Sequence, residues 1–295
     1  VSAIATAWEL DSPRVWITDA AGTLALNATD ADGVQWWAEV VEGWDDSPQI
    51  TAARSEAALD DRTWFGRPLA SAREVAITGT LVGADRTAVA LAKRRLSALL
   101  TAGDRTGLMA VENELGTLTL PVHLDGSTKV RHLADTVVQF QITLVGRSAW
   151  RAGPEITVSV PLALSSSTGV RFDYVRFDPT ISFTTSTSPT GTAVLPNAGT
   201  IEAWPVLTLR GPFTTPYVQD MRTGDSFALQ TTLSDGSTAI VDMSARTVRI
   251  DGTSRRDLVA AGSSWLPVPP GGTTWRVRSS GTAGTATVTY SPRYP

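Results

Sequence analysis

The feature that most narrows what this chain can become is the period of its apolar residues, which is two almost everywhere and helical only once. Val75, Ile77 and Leu81 fall on one side of a run from Val75 to Val82. Leu118, Leu120, Val122 and Leu124 do the same further on, as do Val138, Phe140, Ile142 and Leu144. Such alternation builds strands with one face in a core and the other in water. The exception runs from Asp85 to Thr101, where Val89, Ala92, Leu96 and Leu99 recur at helical spacing, with Asp85 placed to cap the start and Gly103 to end it. Lys93, Arg94 and Arg95 are consecutive there, so they fan around the axis as a solvated face and do not converge as a phosphate patch. Strands, one helix (about 85–101) and strands again describe a mainly β first half.

Val34 to Val41 also alternates, with Val34, Trp36, Ala38 and Val40 on one face and Gln35, Trp37, Glu39 and Val41 on the other. One of the paired indoles therefore looks outward, which makes Trp37 a candidate oligomer contact, since indole is enriched at interfaces. Residues 43–70 are polar and turn-rich with no sustained period, longer than an ordinary connection, and this predicts a functional loop. The strand at Leu118–Leu124 ends in Asp125-Gly126, a hairpin signal, and a hairpin there would bring His123 and His132 near each other. Pro121 suggests an edge position, because it cannot donate to a ladder.

Gly153-Pro154 opens a transition, which predicts two domains, 1–152 and 153–295. Ile156, Val158, Val160 and Leu162 alternate as the next strand. The pattern leaves the placement of 163–195 open, because Ser165–Gly169 and Thr184–Thr192 are rich in Ser, Thr, Gly and Pro. From Asn197 onward the strands are short and regularly punctuated, with Asp235-Gly236 and Asp251-Gly252 as candidate hairpins. Phe227, Leu229 and Thr231 share a face, as do Trp275 and Val277, and Ala286, Val288 and Tyr290. Strands of this kind with no helical stretch imply a jelly-roll sandwich.

Little in the chain supports catalysis. There are two histidines and no cysteine, so thiolate chemistry and disulfides are excluded and a two-histidine metal site lacks further ligands. Gly224-Asp225-Ser226 resembles an esterase signature, but its flanks are antiparallel in pattern and no histidine follows, so it reads as a turn. Asp30, Asp32 and Gly33 open like a calcium loop that no glutamate closes at the required offset. Glu112 and Glu114 share a strand face with nothing marking a cleft, and read as exposed charge. A net charge of −4 disfavours adhesion to nucleic acid. No run approaches the ~20 apolar residues of a membrane helix, and the expectation is a soluble chain without a signal segment. No catalytic residue, metal or cofactor is assigned.

Asn197, Gly199, Thr200 and Pro205, the corner at Gly211 and Pro216, Asp242 and Gly252, and the W-x-P-x-x-P-G run of Trp265, Pro267, Pro270 and Gly271 follow one another in an order that resembles the C-terminal half of the siphophage distal tail protein family. Gly43, Trp44, Ser47 and Pro48 at the head of the 43–70 loop resemble the family's N-terminal half, where such an excursion belts a neighbouring subunit. The resemblance implies a tail-tube-like β-sandwich that forms a hexameric ring around a DNA channel, followed by a galectin-like β-sandwich. It adds Trp44 to Trp37 as a candidate oligomer contact. It implies a non-enzymatic structural protein of the virion tail tip, whose partners are copies of itself, the tail-tube protein, a tail hub or tail-associated protein and receptor-binding proteins, with no sequence-specific nucleic acid binding and no membrane. The competing reading is a carbohydrate-binding module for host-surface attachment that uses Trp204, Trp265 and Trp275.

Overall fold

The computed structural model describes residues 13–52, 54–56, 63–66, 69–101, 105–160, 162–171, 182–280 and 284–295. The chain divides into two compact units, Val1–Gly153 with Tyr294–Pro295, and Pro154–Arg293. Among the described residues no helix is long and apolar enough to cross a membrane.

The first unit contains β1 (Arg14–Asp19), β2 (Gly22–Leu26), β3 (Gln35–Glu42), β4 (Glu74–Val82), α1 (Arg86–Ala98), β5 (Thr106–Asn113), β6 (Gly116–Leu124), β7 (Lys129–Ala134) and β8 (Val137–Gly146). One antiparallel sheet runs β2-β1-β5-β6-β8-β4-β3 and ends on the two-residue strand Ala28–Thr29. Only Asn27 separates that last strand from β2 in sequence, so the sheet rolls until its ends approach. Asn27 turns the corner at φ 58°, a conformation asparagine tolerates better than most residues. Its side chain donates to the Pro13 carbonyl and accepts from the Ala38 amide, both at 2.8 Å. Inside the roll, Trp36 meets Phe140 edge-on at 5.8 Å.

The helix begins as its sequence dictates, with the Asp85 carboxylate accepting from the Ala88 amide at 2.7 Å, and it buries Val89, Ala92 and Leu96. It ends at Ala98, short of the predicted Thr101. The Asp19 carboxylate takes the Leu100 amide at 2.7 Å, and Leu100 sits at φ 56°, so the chain has left the helix while Leu99 and Leu100 stay buried. Gly103 lies outside the described residues. Lys93 and Arg95 diverge as expected: Lys93 Nζ is 3.0 Å from His132 Nε2, whereas Arg95 reaches Asp30 at 3.5 Å.

Three strand expectations are corrected. In β3 the register slips between Ala38 and Val40, a bulge that turns Val40 outward (45% exposed) and packs Val41 against the core. Asp125-Gly126 does not close a hairpin. The Asp125 amide still bonds the Thr143 carbonyl at 2.8 Å, so β6 and β7 lie end to end along one edge of β8, and the reversal comes later, between Ala134 and Val137. His123 and His132 consequently pair with Val145 and Val138, seven residues apart along β8 and roughly 23 Å at strand rise. Nor is Pro121 on an edge strand, since β6 lies between β5 and β8; its position is just past the last β8 partner, Val122–Gly146.

The second unit contains β9 (Ile156–Val160), β10 (Ala163–Arg171), β11 (Ser182–Leu195), β12 (Val206–Arg210), β13 (Tyr217–Asp220), β14 (Ser226–Ala228), β15 (Thr238–Asp242), β16 (Thr247–Ile250), β17 (Thr273–Arg278) and β18 (Thr285–Tyr290). One antiparallel sheet runs β9-β18-β12-β15-β16 and ends on Thr253–Ser254; the other runs β10-β11-β17-β13-β14. Between them lie Leu195, Leu207, Phe213, Val218, Phe227, Trp275 and Val288, a galectin-like sandwich. The stretch 163–195, whose placement the sequence left open, is largely the β10–β11 pair. Threonine is β-branched and suits a strand even where apolar alternation is absent. Asp251-Gly252 is the expected tight hairpin, both residues at positive φ. Asp235-Gly236 is only a turn, because the strands it joins, Thr232–Leu233 and β15, pair elsewhere.

Tyr290 closes this core from beneath. Its hydroxyl donates to the Pro196 carbonyl at 2.6 Å, and burial pushes its pKa up to about 12 from 10. The folded state therefore holds this proton where the unfolded state releases it, and stability is expected to fall as pH rises above 10. Absorbance titration near 295 nm checks this: the high-pH tyrosinate step should disappear in Tyr290→Phe.

Candidate assembly surfaces

The predicted loop 43–70 is not irregular. Ile50–Thr51 pairs with Leu69–Ala70, and Arg54–Glu56 pairs with Thr63–Phe65, both antiparallel, so the excursion is a two-stranded arm whose tip, 57–62, lies outside the described residues. Its sequence hid the strands because its polar residues give no alternation. Ile50 and Leu69, at the base, are 64% and 65% exposed.

Two buried arginines fix the start of the arm. Arg73 donates from Nη1 to the carbonyls of Gly43, Trp44 and Asp46, each at 2.7 Å, and from Nε to that of Ala149. Burial foremost, then the charge of Arg151, lowers its pKa below the usual arginine value, and Asp45 and Asp46 oppose the shift. Arg151 pairs with Asp45 at 2.6 Å, lies over the Trp44 ring at 5.4 Å and donates to the Pro295 carbonyl. Trp44 is 2% exposed and belongs to the core of its own unit. Trp37 is half-buried on β3. Neither arginine stood out in the sequence, because their partners are mostly backbone carbonyls that no residue pattern encodes.

Beside the arm's root, an open groove of about 890 Å³ is lined by Glu39, Asp45, Glu112 and Glu114, with Arg14 reaching Glu112 at 3.8 Å and Leu115 on the lip almost wholly exposed. Asp30 accepts from the amides of Asp32 and Val34 and from Trp36 Nε1, which makes it a turn anchor. Among the described residues no group of three His, Asp or Glu converges to hold a metal ion. Gly224 donates to the Asp220 carbonyl within a turn, as its antiparallel flanks predicted.

In the second unit Asn197 is buried. Its amide donates to the carbonyls of Ile201 (3.1 Å) and Val268 (2.9 Å), its Oδ1 accepts from Gly199, and its own carbonyl accepts from Gly271. A Cβ on Gly199 would lie 2.5 Å from the Arg293 carbonyl oxygen. Trp275 is fully buried, and Trp204 and Trp265 are partly buried against the core.

Residues 198–294 match the family model described as siphovirus-type tail component, C-terminal domain. The fold as a whole is similar to the crystal structure of the Dit (gp 19.1) protein of phage SPP1, described as a paradigm of the hub adsorption apparatus in phages that infect Gram-positive hosts. The TM-score is 0.62 and the identity 13%, over 88% of this chain and 93% of that one. Residues 198–294 therefore carry the C-terminal domain of a siphovirus-type tail component, and the rest of the chain shares the fold of its structural neighbours. A chain of the phage P2 baseplate in its activated conformation with Ca is also similar to this chain, at TM-score 0.50 and 9% identity over 95% of this chain and 98% of that one. No curated protein matches the sequence. Asn197 and the motif glycines Gly199, Gly211 and Gly271 lie at corners between the strands of this domain.

Proposed function

We propose that this structural tail-tip protein closes into a ring, of six copies by family resemblance, which continues the tail tube, leaves a channel for DNA and presents its second unit to a hub, baseplate or receptor-binding protein. The single observation that carries the ring is the arm. A two-stranded ribbon is marginal alone in water, and this one leads away from a rolled sheet with Ile50 and Leu69 in solvent at its base. Head-to-tail contact, the arm of one copy laid on the next, closes a ring when the rotation per copy divides a full turn. The acidic groove with Leu115 and the half-buried Trp37 are further surfaces for the neighbour. The role is mechanical and not enzymatic.

Mass photometry and negative-stain images of the full chain are expected to show closed rings, with tail-tube protein added if the free chain is too dilute to assemble. Replacing residues 50–70 by a short Gly-Ser linker is expected to leave a folded monomer. Rings of undiminished abundance after that replacement, or a monomer under every condition with the arm intact, would refute the reading.

A further inference from the structure

The outward face of the sheet β10-β11-β17-β13-β14 carries two arginines, Arg276 and Arg278, two positions apart on β17 and so roughly 7 Å from one another on the same side. Their cross-strand neighbours are Thr192 and Gln219 for Arg276, and Thr190 and Tyr217 for Arg278. None of these is acidic. Arg14, Arg86, Arg95, Arg151 and Arg255 each reach a carboxylate, whereas neither Arg276 nor Arg278 forms an ion pair or a side-chain hydrogen bond among the described residues. Two like charges side by side with no counter-charge are mutually repulsive, a cost relieved when an anion bridges them.

The arginines are not on bare sheet. At the Arg278 end the surface dips into a cavity of about 430 Å³ that Tyr217, Arg278, Gln230, Thr215 and Ser280 help to line, with Leu229 and Ala260 as apolar floor. That is within the ~300–1,000 Å³ typical of small-ligand sites. Guanidinium forks recognise carboxylate and phosphate oxygens, while a phenol, a primary amide and hydroxyls suit the hydroxyl groups of a polyol. We infer that this face binds an anionic glycan, a sugar or polyol chain bearing phosphate or carboxylate groups, with Arg276 and Arg278 on the charges and the Tyr217 cavity on one sugar unit. Charge complementarity favours an anion, and the hydroxyl- and amide-lined cavity favours a glycan. Nucleic acid is disfavoured by the chain's net charge of −4. The inference does not depend on ring formation, because every residue it uses lies in the second unit.

Biolayer interferometry of the full chain against phosphorylated dextran, polygalacturonate and neutral dextran at physiological salt tests it. Binding is expected to one or both charged polymers and not to neutral dextran, and the polymer that binds tells phosphate from carboxylate. The double variant Arg276→Gln/Arg278→Gln should weaken that binding by about tenfold or more, since each replacement removes a charge-assisted contact. Its thermal unfolding should be unchanged, as both side chains face solvent. The inference is overturned by binding to neither charged polymer, by equal binding to neutral dextran, by undiminished binding of the double variant, or by tighter capture of single-stranded oligothymidine.

Discussion

Asn197→Ala is expected to destabilise the second unit by about 3 kcal/mol or more and to leave the first unit's unfolding transition in place. The side chain satisfies the buried Gly199 amide and the part-buried Ile201 carbonyl, each of which costs about 1–3 kcal/mol when left without a partner, and it adds a second donor to the Val268 carbonyl beside the Ala203 amide. Asn197→Asp should not rescue the loss, because a carboxylate keeps the acceptor for Gly199 but turns a negative oxygen toward the Ile201 and Val268 carbonyls. Urea unfolding followed by tryptophan fluorescence checks this, since the buried Trp275 reports on the same core. Equal stability of the aspartate and asparagine forms would mean that the corner does not hold the sandwich.

The second large effect concerns Arg73. Arg73→Met retains much of the aliphatic volume but abandons three carbonyls that one nitrogen now serves at 2.7 Å, and it should cost about 3 kcal/mol in the first unit. Arg73→Lys should recover only part, because an ammonium is a compact point donor without the planar reach that also brings Nε toward Ala149. The distinguishing readout is local: hydrogen exchange across residues 43–51 should accelerate more than exchange across β5 and β6. Uniform acceleration would show that Arg73 supports the core at large and not the root of the arm.

How far the fold could be read beforehand depended on whether the signal was local. The helix start was legible because the Asp85 cap acts on an amide three residues away, and its end was not because Asp19, a distant residue, takes the Leu100 amide. Alternation located β4, β6 and β8 correctly. It failed in β3, where a bulge resets the period between Ala38 and Val40, and in β10 and β11, where threonine and serine carry strand preference without an apolar face. Asp125-Gly126 has the chemistry of a hairpin, yet the ladder with β8 continues through Asp125, a constraint that pair of residues does not encode. The candidate assembly surfaces were half-legible. The 43–70 excursion announced itself by length, but its internal pairing and the two arginines beneath it depend on backbone carbonyls brought in by tertiary structure. Arg276 and Arg278 passed unnoticed because only their cross-strand neighbours reveal that no acid faces them.

The single-residue corner at Asn27 has a kinetic consequence. Arg14 on the first described strand finds its partner at Glu112, and the opposite margin of the roll is completed by β4 and β8, so closure brings together segments nearly a hundred residues apart. A nascent chain leaving the ribosome therefore carries β1 and β4 each with one margin open until β5 and β8 have emerged, and high contact order of this sort makes folding slow.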